Sequence, residues 1–129
     1  MTTVWVTRSL PGAERVAEQL RPRGFDVAIA PVVDIRPTAD AMPALARVAD
    51  VMAVFVSGHA AKHALGGTDW RPAAALAVGQ ATANILDRFG VTATMAAEAS
   101  SEGIIQTLAA ESLPILLVAG RGGRTAVLE

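Results

Sequence analysis

An α/β fold built on parallel sheets is predicted for this chain by three observations. Short apolar runs rich in β-branched residues alternate with amphipathic stretches along most of its 129 residues. Three of those stretches carry the same helical stripe, headed by a small hydroxyl: Ser57-Ala60-Ala61-Ala64, Thr82-Ile85-Leu86-Phe89 and Ser101-Ile104-Ile105-Leu108. The spacing i, i+3, i+4, i+7 marks one buried helix face. The alternation is broken once, by Pro31-Val32-Val33-Asp34-Ile35-Arg36-Pro37, and resumes after it.

Val4 to Thr7 is expected to form the first strand. Pro11 suits the first turn of a helix whose apolar face is Ala13, Val16, Ala17 and Leu20, and Gly24 closes it. Asp26 to Ala30 is the second strand, parallel to the first because one helix joins them. The 31–37 run has a proline at each end, which bars it from the middle of a sheet. It fits either an edge strand with a loop or an extended connector between domains.

The alternation then resumes. Helices are expected over 39–49, 59–65, 81–89 and 102–110, and strands over 51–56, 74–78, 91–94 and 115–118. Gly120 to Arg124 forms a strand-to-helix turn, and Thr125 to Glu129 starts a helix that goes no further. Such an ending predicts a truncated fold whose last strand lacks cover.

Composition excludes several classes. Charged residues are 18% of the chain, below the roughly 25% of an average soluble domain, and hydrophobic residues are 52%. Mean hydropathy is +0.41. This predicts either a sheet buried on both faces or apolar surface left for a partner, self-association included. The apolar runs fall far short of the ~20 residues of a membrane span, so no membrane partner is expected. A net charge of −1 gives no field to attract nucleic acid. The chain has neither Cys nor Tyr, which removes thiol chemistry and any phenolic acid or base. With no signal peptide at Met1-Thr2-Thr3-Val4, this points to a cytoplasmic protein.

Specific catalytic signatures fail one by one. Gly120-Arg121-Gly122-Gly123-Arg124-Thr125 has Thr where the dinucleotide fingerprint needs its last Gly, and lacks the Gly-Lys-Ser/Thr of a P-loop. It is an anion nest with two cations, or an ordinary Gly-rich turn. His59 and His63 share a helix face, but Ala60 replaces the Glu of the zinc-protease pattern and no third ligand is near, so no metal is expected. No Gly-x-Ser-x-Gly elbow supports a serine nucleophile. Glu98 and Glu102 are separated by a loop-to-helix joint and make a poor acid–base pair. Arg8, just past the first strand, is either a solvated charge or an anion ligand. Ser57-Gly58, Gly79 to Thr82, and Ser100 to Gly103 are each good helix caps. Together, at one edge of a parallel sheet, they would line a cleft of amides and hydroxyls suited to anions.

The ordered set of motifs resembles the uroporphyrinogen-III synthase family over essentially the whole chain. The matching segments are Val4 to Arg15, Gly24 to Pro31, Val54 to Ala61, Ala77 to Thr82, Glu98 to Ile104 and Leu117 to Arg124. The resemblance implies two α/β domains joined by an extended connector. Domain one would take residues 1–30, the connector 31–37, and domain two 38–129, with the C-terminal part missing. It also implies cyclisation of hydroxymethylbilane to uroporphyrinogen III with inversion of ring D, a step of haem biosynthesis that uses no cofactor or metal. Arg8, Ser57, Gly58, His59, Gly79, Thr82, Ser101 and Gly103 would be the substrate-binding residues by motif match. No catalytic residue is assigned, because the family's Tyr lies in the part lacking here. The 129 residues alone are therefore expected to be inactive. A non-catalytic carboxylate-binding module derived from the same fold is the competing expectation. A flavodoxin-like domain fits less well, lacking aromatic flanks for a flavin.

Overall fold

A computed structural model describes residues 1–37 and 48–120. The chain divides into two compact units, Met1–Arg36 and Pro37–Glu129. Residues 39–47 of the helix expected over 39–49, and all of the glycine-rich turn beyond Gly120, lie outside the described residues; Val48 and Ala49 are not helical.

Unit 1 is a βαβ element. Strand β1 (Thr3–Val6) pairs in parallel with β2 (Asp26–Ile29), Val4 opposite Val27 and Val6 opposite Ile29. Helix α1 (Gly12–Leu20) packs on this pair through Ala13 and Ala17, both fully buried, and covers Val6. Strand alternation sends Trp5 to the other face, where it is 72% exposed. The helix tightens into a 3-10 turn, Arg21–Arg23, and ends at Gly24 with φ +86°. The Phe25 amide reaches back to the Leu20 carbonyl, the helix-closing bond that a left-handed glycine permits. Residues 31–37 are exposed and form no strand; the Val32 amide bonds to the Thr7 carbonyl, and Arg36 pairs with Asp34 at 2.7 Å on the surface.

Unit 2 holds a four-stranded parallel sheet in the order β5-β4-β3-β6, formed by β3 (Met52–Phe55), β4 (Ala74–Ala77), β5 (Thr94–Met95) and β6 (Ile115–Val118). Helices α2 (Gly58–Leu65), α3 (Gln80–Arg88) and α4 (Ser101–Leu108) connect them. All four residues of β3 are buried. Ala53, Phe55, Ala75 and Ala77 pack with Ala61, Ala64, Leu65, Ala83 and Leu86 of α2 and α3. Met52, Val54 and Leu76 pack with Ile104 and Leu108 of α4 on the opposite face. Both faces are thus covered, which accounts for near-continuous apolar strands. Small alanines on strands and helices let α2 and α3 come close to the sheet.

The strand expected over 91–94 is shorter and later than its composition suggested. Gly90 adopts φ +75°, and the Val91 amide closes α3 on the Leu86 carbonyl. Val91 is therefore spent on capping α3 and filling the core beside Leu86, and the ladder with β4 begins only at Thr94.

Candidate functional site

The three turns that follow β3, β4 and β5 emerge at one edge of the unit 2 sheet. They do so because the strands are neighbours and parallel: Phe55 lies opposite Ala77, and Ala77 opposite Met95. The ladder runs on into the turns, with the Val78 amide on the Phe55 carbonyl (3.1 Å) and the Ala96 amide on the Ala77 carbonyl (2.9 Å). At this edge helix N-termini meet the carboxyl ends of strands, the arrangement that favours anions in open α/β sheets.

Each turn is built differently. After β3, Ser57 adopts an extended conformation and caps α2, its Oγ accepting from the Ala60 amide at 3.1 Å. Gly58 and His59 occupy the first turn and are half-buried. A Cβ at Gly58 would collide with Cδ1 of Ile85, so the start of α2 lies directly against α3.

After β4, Gly79 precedes α3, and no side chain caps that helix. Its first turn holds no acidic residue either. Thr82, expected at the head of the helix, instead sits in its third position and is buried to 5% exposure. The cap position falls to Gly79 because the chain is still extended there, with φ −165°. Among the described residues no fully buried side-chain oxygen or nitrogen lacks a partner.

After β5, the cap is Ser100 rather than Ser101. Ser100 Oγ accepts from the Gly103 amide at 3.0 Å, and Ser101 opens the helix as its first residue, half-buried. The reason is again backbone conformation: Ser100 is extended (φ −149°) and Ser101 is already helical. Gly103 is buried under this turn; a Cβ there would stand 2.6 Å from the Glu98 amide nitrogen and closer still to the Glu98 carbonyl oxygen. Its amide is occupied by the Ser100 cap. The turns after β4 and β5 are neighbours, since a Cβ at Gly79 would lie 3.8 Å from that of Ala99.

The structure therefore brings Ser57, Gly58, His59, Gly79, Thr82, Ser101 and Gly103 to one edge of unit 2. Arg8 belongs to unit 1. It is exposed just beyond β1, and its guanidinium lies over Gly12 at the start of α1. His63 follows one turn after His59, and among the described residues no three of His, Asp or Glu are grouped to hold a metal ion. No helix among the described residues is long and apolar enough to cross a membrane. The sequence offered both Ser100 and Ser101 as cap material without separating them, and it missed Gly12 beneath Arg8 and Thr107, whose hydroxyl binds the Ala97 amide. Only Thr107 left a local trace, a Thr four residues after a helical glycine, placed for a bond back to its carbonyl.

A family model described as uroporphyrinogen-III synthase HemD matches residues 14–129. The chain belongs to the uroporphyrinogen-III synthase family. In fold it is similar to the uroporphyrinogen III synthase of Thermus thermophilus, an extremely thermophilic bacterium, with a TM-score of 0.56 and 18% sequence identity. The match covers 98% of this chain and 55% of that one, so the chain spans about half of its structural relative. No curated protein matches the chain in sequence. The family match spans most of the ordered motifs that carried the resemblance, and the fold likeness accompanies the parallel α/β architecture that the alternation predicted for this chain.

Proposed function

We propose that this chain contributes the carboxylate-binding edge of a uroporphyrinogen-III synthase, acting on the linear tetrapyrrole hydroxymethylbilane. The observation that carries the reading is the convergence of three strand-to-helix turns around the N-terminus of α3. Of the three helices described in unit 2, α2 is capped by Ser57, and α4 is capped by Ser100 and has Glu102 in its first turn. Helix α3 has neither, so its first amides and positive dipole end are the most available to a ligand carboxylate. Gly79 lets a ligand approach that backbone, and Thr82 and Ser101 are the hydroxyls we assign to the same carboxylate. Ser57, Gly58 and His59 flank it from the β3 turn. Arg8, in unit 1, is also assigned to substrate binding, since a guanidinium matches a carboxylate geometrically.

The bilane is reactive in itself: its terminal hydroxyl leaves as water, and the resulting azafulvene closes through a spiro intermediate with ring D inverted. A protein that guides this step has mainly to hold the chain of pyrroles in one folded arrangement. Fixing several side-chain carboxylates does that without an acid–base triad.

The 55% span of the relative favours a second reading for the 129-residue chain by itself, which is binding without cyclisation. One assay tests both. The purified chain is incubated with hydroxymethylbilane, and the uroporphyrin isomers are separated after oxidation. We expect saturable binding of uroporphyrin III, a stable octacarboxylate, but only the type I isomer that forms spontaneously. Type III product would make the chain a synthase on its own. Absence of saturable uroporphyrin binding would remove the carboxylate reading.

A further inference from the structure

The turn that carries Ser100 and Ser101 is tied from behind by a side chain outside the family-like motifs. Thr107 lies on α4, one helical turn after Gly103. Its hydroxyl donates to the Gly103 carbonyl at 2.8 Å and accepts from the Ala97 amide at 2.9 Å. The first bond is local, a common habit of Thr in helices. The second is not. It spans ten residues and holds an amide two residues past the end of β5.

Satisfying that amide is no reason for the bond, because Ala97 is exposed and water would serve its N–H. What the bond adds is position. The 97–101 turn is held at three points: Ala97 on Thr107, Ser100 on the Gly103 amide, and the Glu98 backbone resting on the bare Cα of Gly103. The same turn carries Ala99 beside Gly79, at the start of α3. A shift of the turn would move Ser101 relative to the α3 amides, while the core under α4 (Ile104 and Leu108) stayed in place.

We propose that Thr107 is a positioning residue, setting the 97–101 turn so that Ser101 and the α3 amides engage one ligand carboxylate together. This rests on the carboxylate-binding reading above. The test compares the chain with Thr107→Val and Thr107→Ser in fluorescence titrations with uroporphyrin III, alongside urea unfolding and amide spectra. Val keeps the branched shape and loses both bonds, whereas Ser keeps the hydroxyl. With one anchoring bond lost, we expect Thr107→Val to bind about five- to tenfold more weakly, with little change in unfolding midpoint. Thr107→Ser should restore affinity. The Gln80 and Ala81 amides should still respond to ligand in Thr107→Val, while those of 98–101 no longer do. Wild-type affinity in Thr107→Val would overturn the proposal and leave the carboxylate reading standing. So would a loss of affinity that tracks a loss of stability and is not rescued by Ser. If the unaltered chain fails to bind uroporphyrin, the carboxylate reading falls first and this one with it.

Discussion

The guanidinium of Arg8 lies directly over Gly12: a Cβ at Gly12 would stand 2.7 Å from Nε and 2.9 Å from Cζ. The obstacle to a larger residue is thus the mobile end of an exposed side chain. At Gly103 the obstacle is the backbone of Glu98. The two glycines should therefore answer alanine differently. Gly12→Ala is expected to leave unfolding free energy within about 0.5 kcal/mol and to displace Arg8, lowering affinity for uroporphyrin III. Gly103→Ala should cost about 1–3 kcal/mol, as overpacking does, in a urea unfolding curve. Equal effects on stability would contradict the assigned packing.

Adjacent serines at the start of α4 should separate capping from binding. Ser100→Ala removes the bond to the Gly103 amide and is expected to cost about 1 kcal/mol of stability. Ser101→Ala takes away no cap, so stability should hold within about 0.5 kcal/mol while uroporphyrin affinity falls. Thermal unfolding and titration of the two variants check this. A larger stability loss for Ser101→Ala would place the cap one residue later.

Thr82 is the single buried polar side chain among the described residues. Thr82→Val keeps the branched shape at that site. Unfolding free energy should change by no more than about 1 kcal/mol, the net worth of an ordinary hydrogen bond. Affinity for uroporphyrin III should drop severalfold if the hydroxyl meets the ligand. Unchanged affinity would remove Thr82 from the binding set.

Arg71 serves as a distant control. Its Nε donates to the Phe89 carbonyl (3.1 Å), one of its Nη atoms donates to the carbonyls of Thr68 and Trp70, and its guanidinium lies 6.0 Å from the Phe89 ring centre. These groups belong to the C-terminal end of α3 and the loop entering β4, at the opposite end of the strands from the candidate site. Arg71→Ala should lower stability by about 1–2 kcal/mol through the lost carbonyl bonds and leave uroporphyrin affinity unchanged. Lys at this position offers a single point of donation and should recover little of the loss. A fall in affinity for either variant would show that the two ends of the sheet are coupled.

Much of the fold was legible because unit 2 is regular. The run Ile115-Leu116-Leu117-Val118 coincides with β6, and the apolar stretch ending at Ser57 coincides with a strand and its following cap. Lateral order was not legible. Periodicity says which residues face a core, but nothing in it places β3 between β4 and β6. The site was legible as a set of turns and not as a division of labour. Ser100 and Ser101 are the same residue type side by side, so only backbone dihedrals tell the cap from its neighbour. The local trace of Thr107 points only to Gly103, and its reach to Ala97, ten residues back, leaves no signal in local pattern.

The strand order also sets a schedule for folding. Strand β3 pairs with β4 within one βαβ unit, but its other edge takes β6, the last of the described strands in sequence. Met52 must wait for Ile115, and the closure of that long loop is slow relative to the local βαβ pairing. On a ribosome making the chain from its N-terminus, β3, β4 and β5 can assemble while one edge of β3 stays unpaired. That open edge exposes the fully apolar β3 to other chains, and the synthesis of residues 115–118 buries it and moves the free edge out to β6.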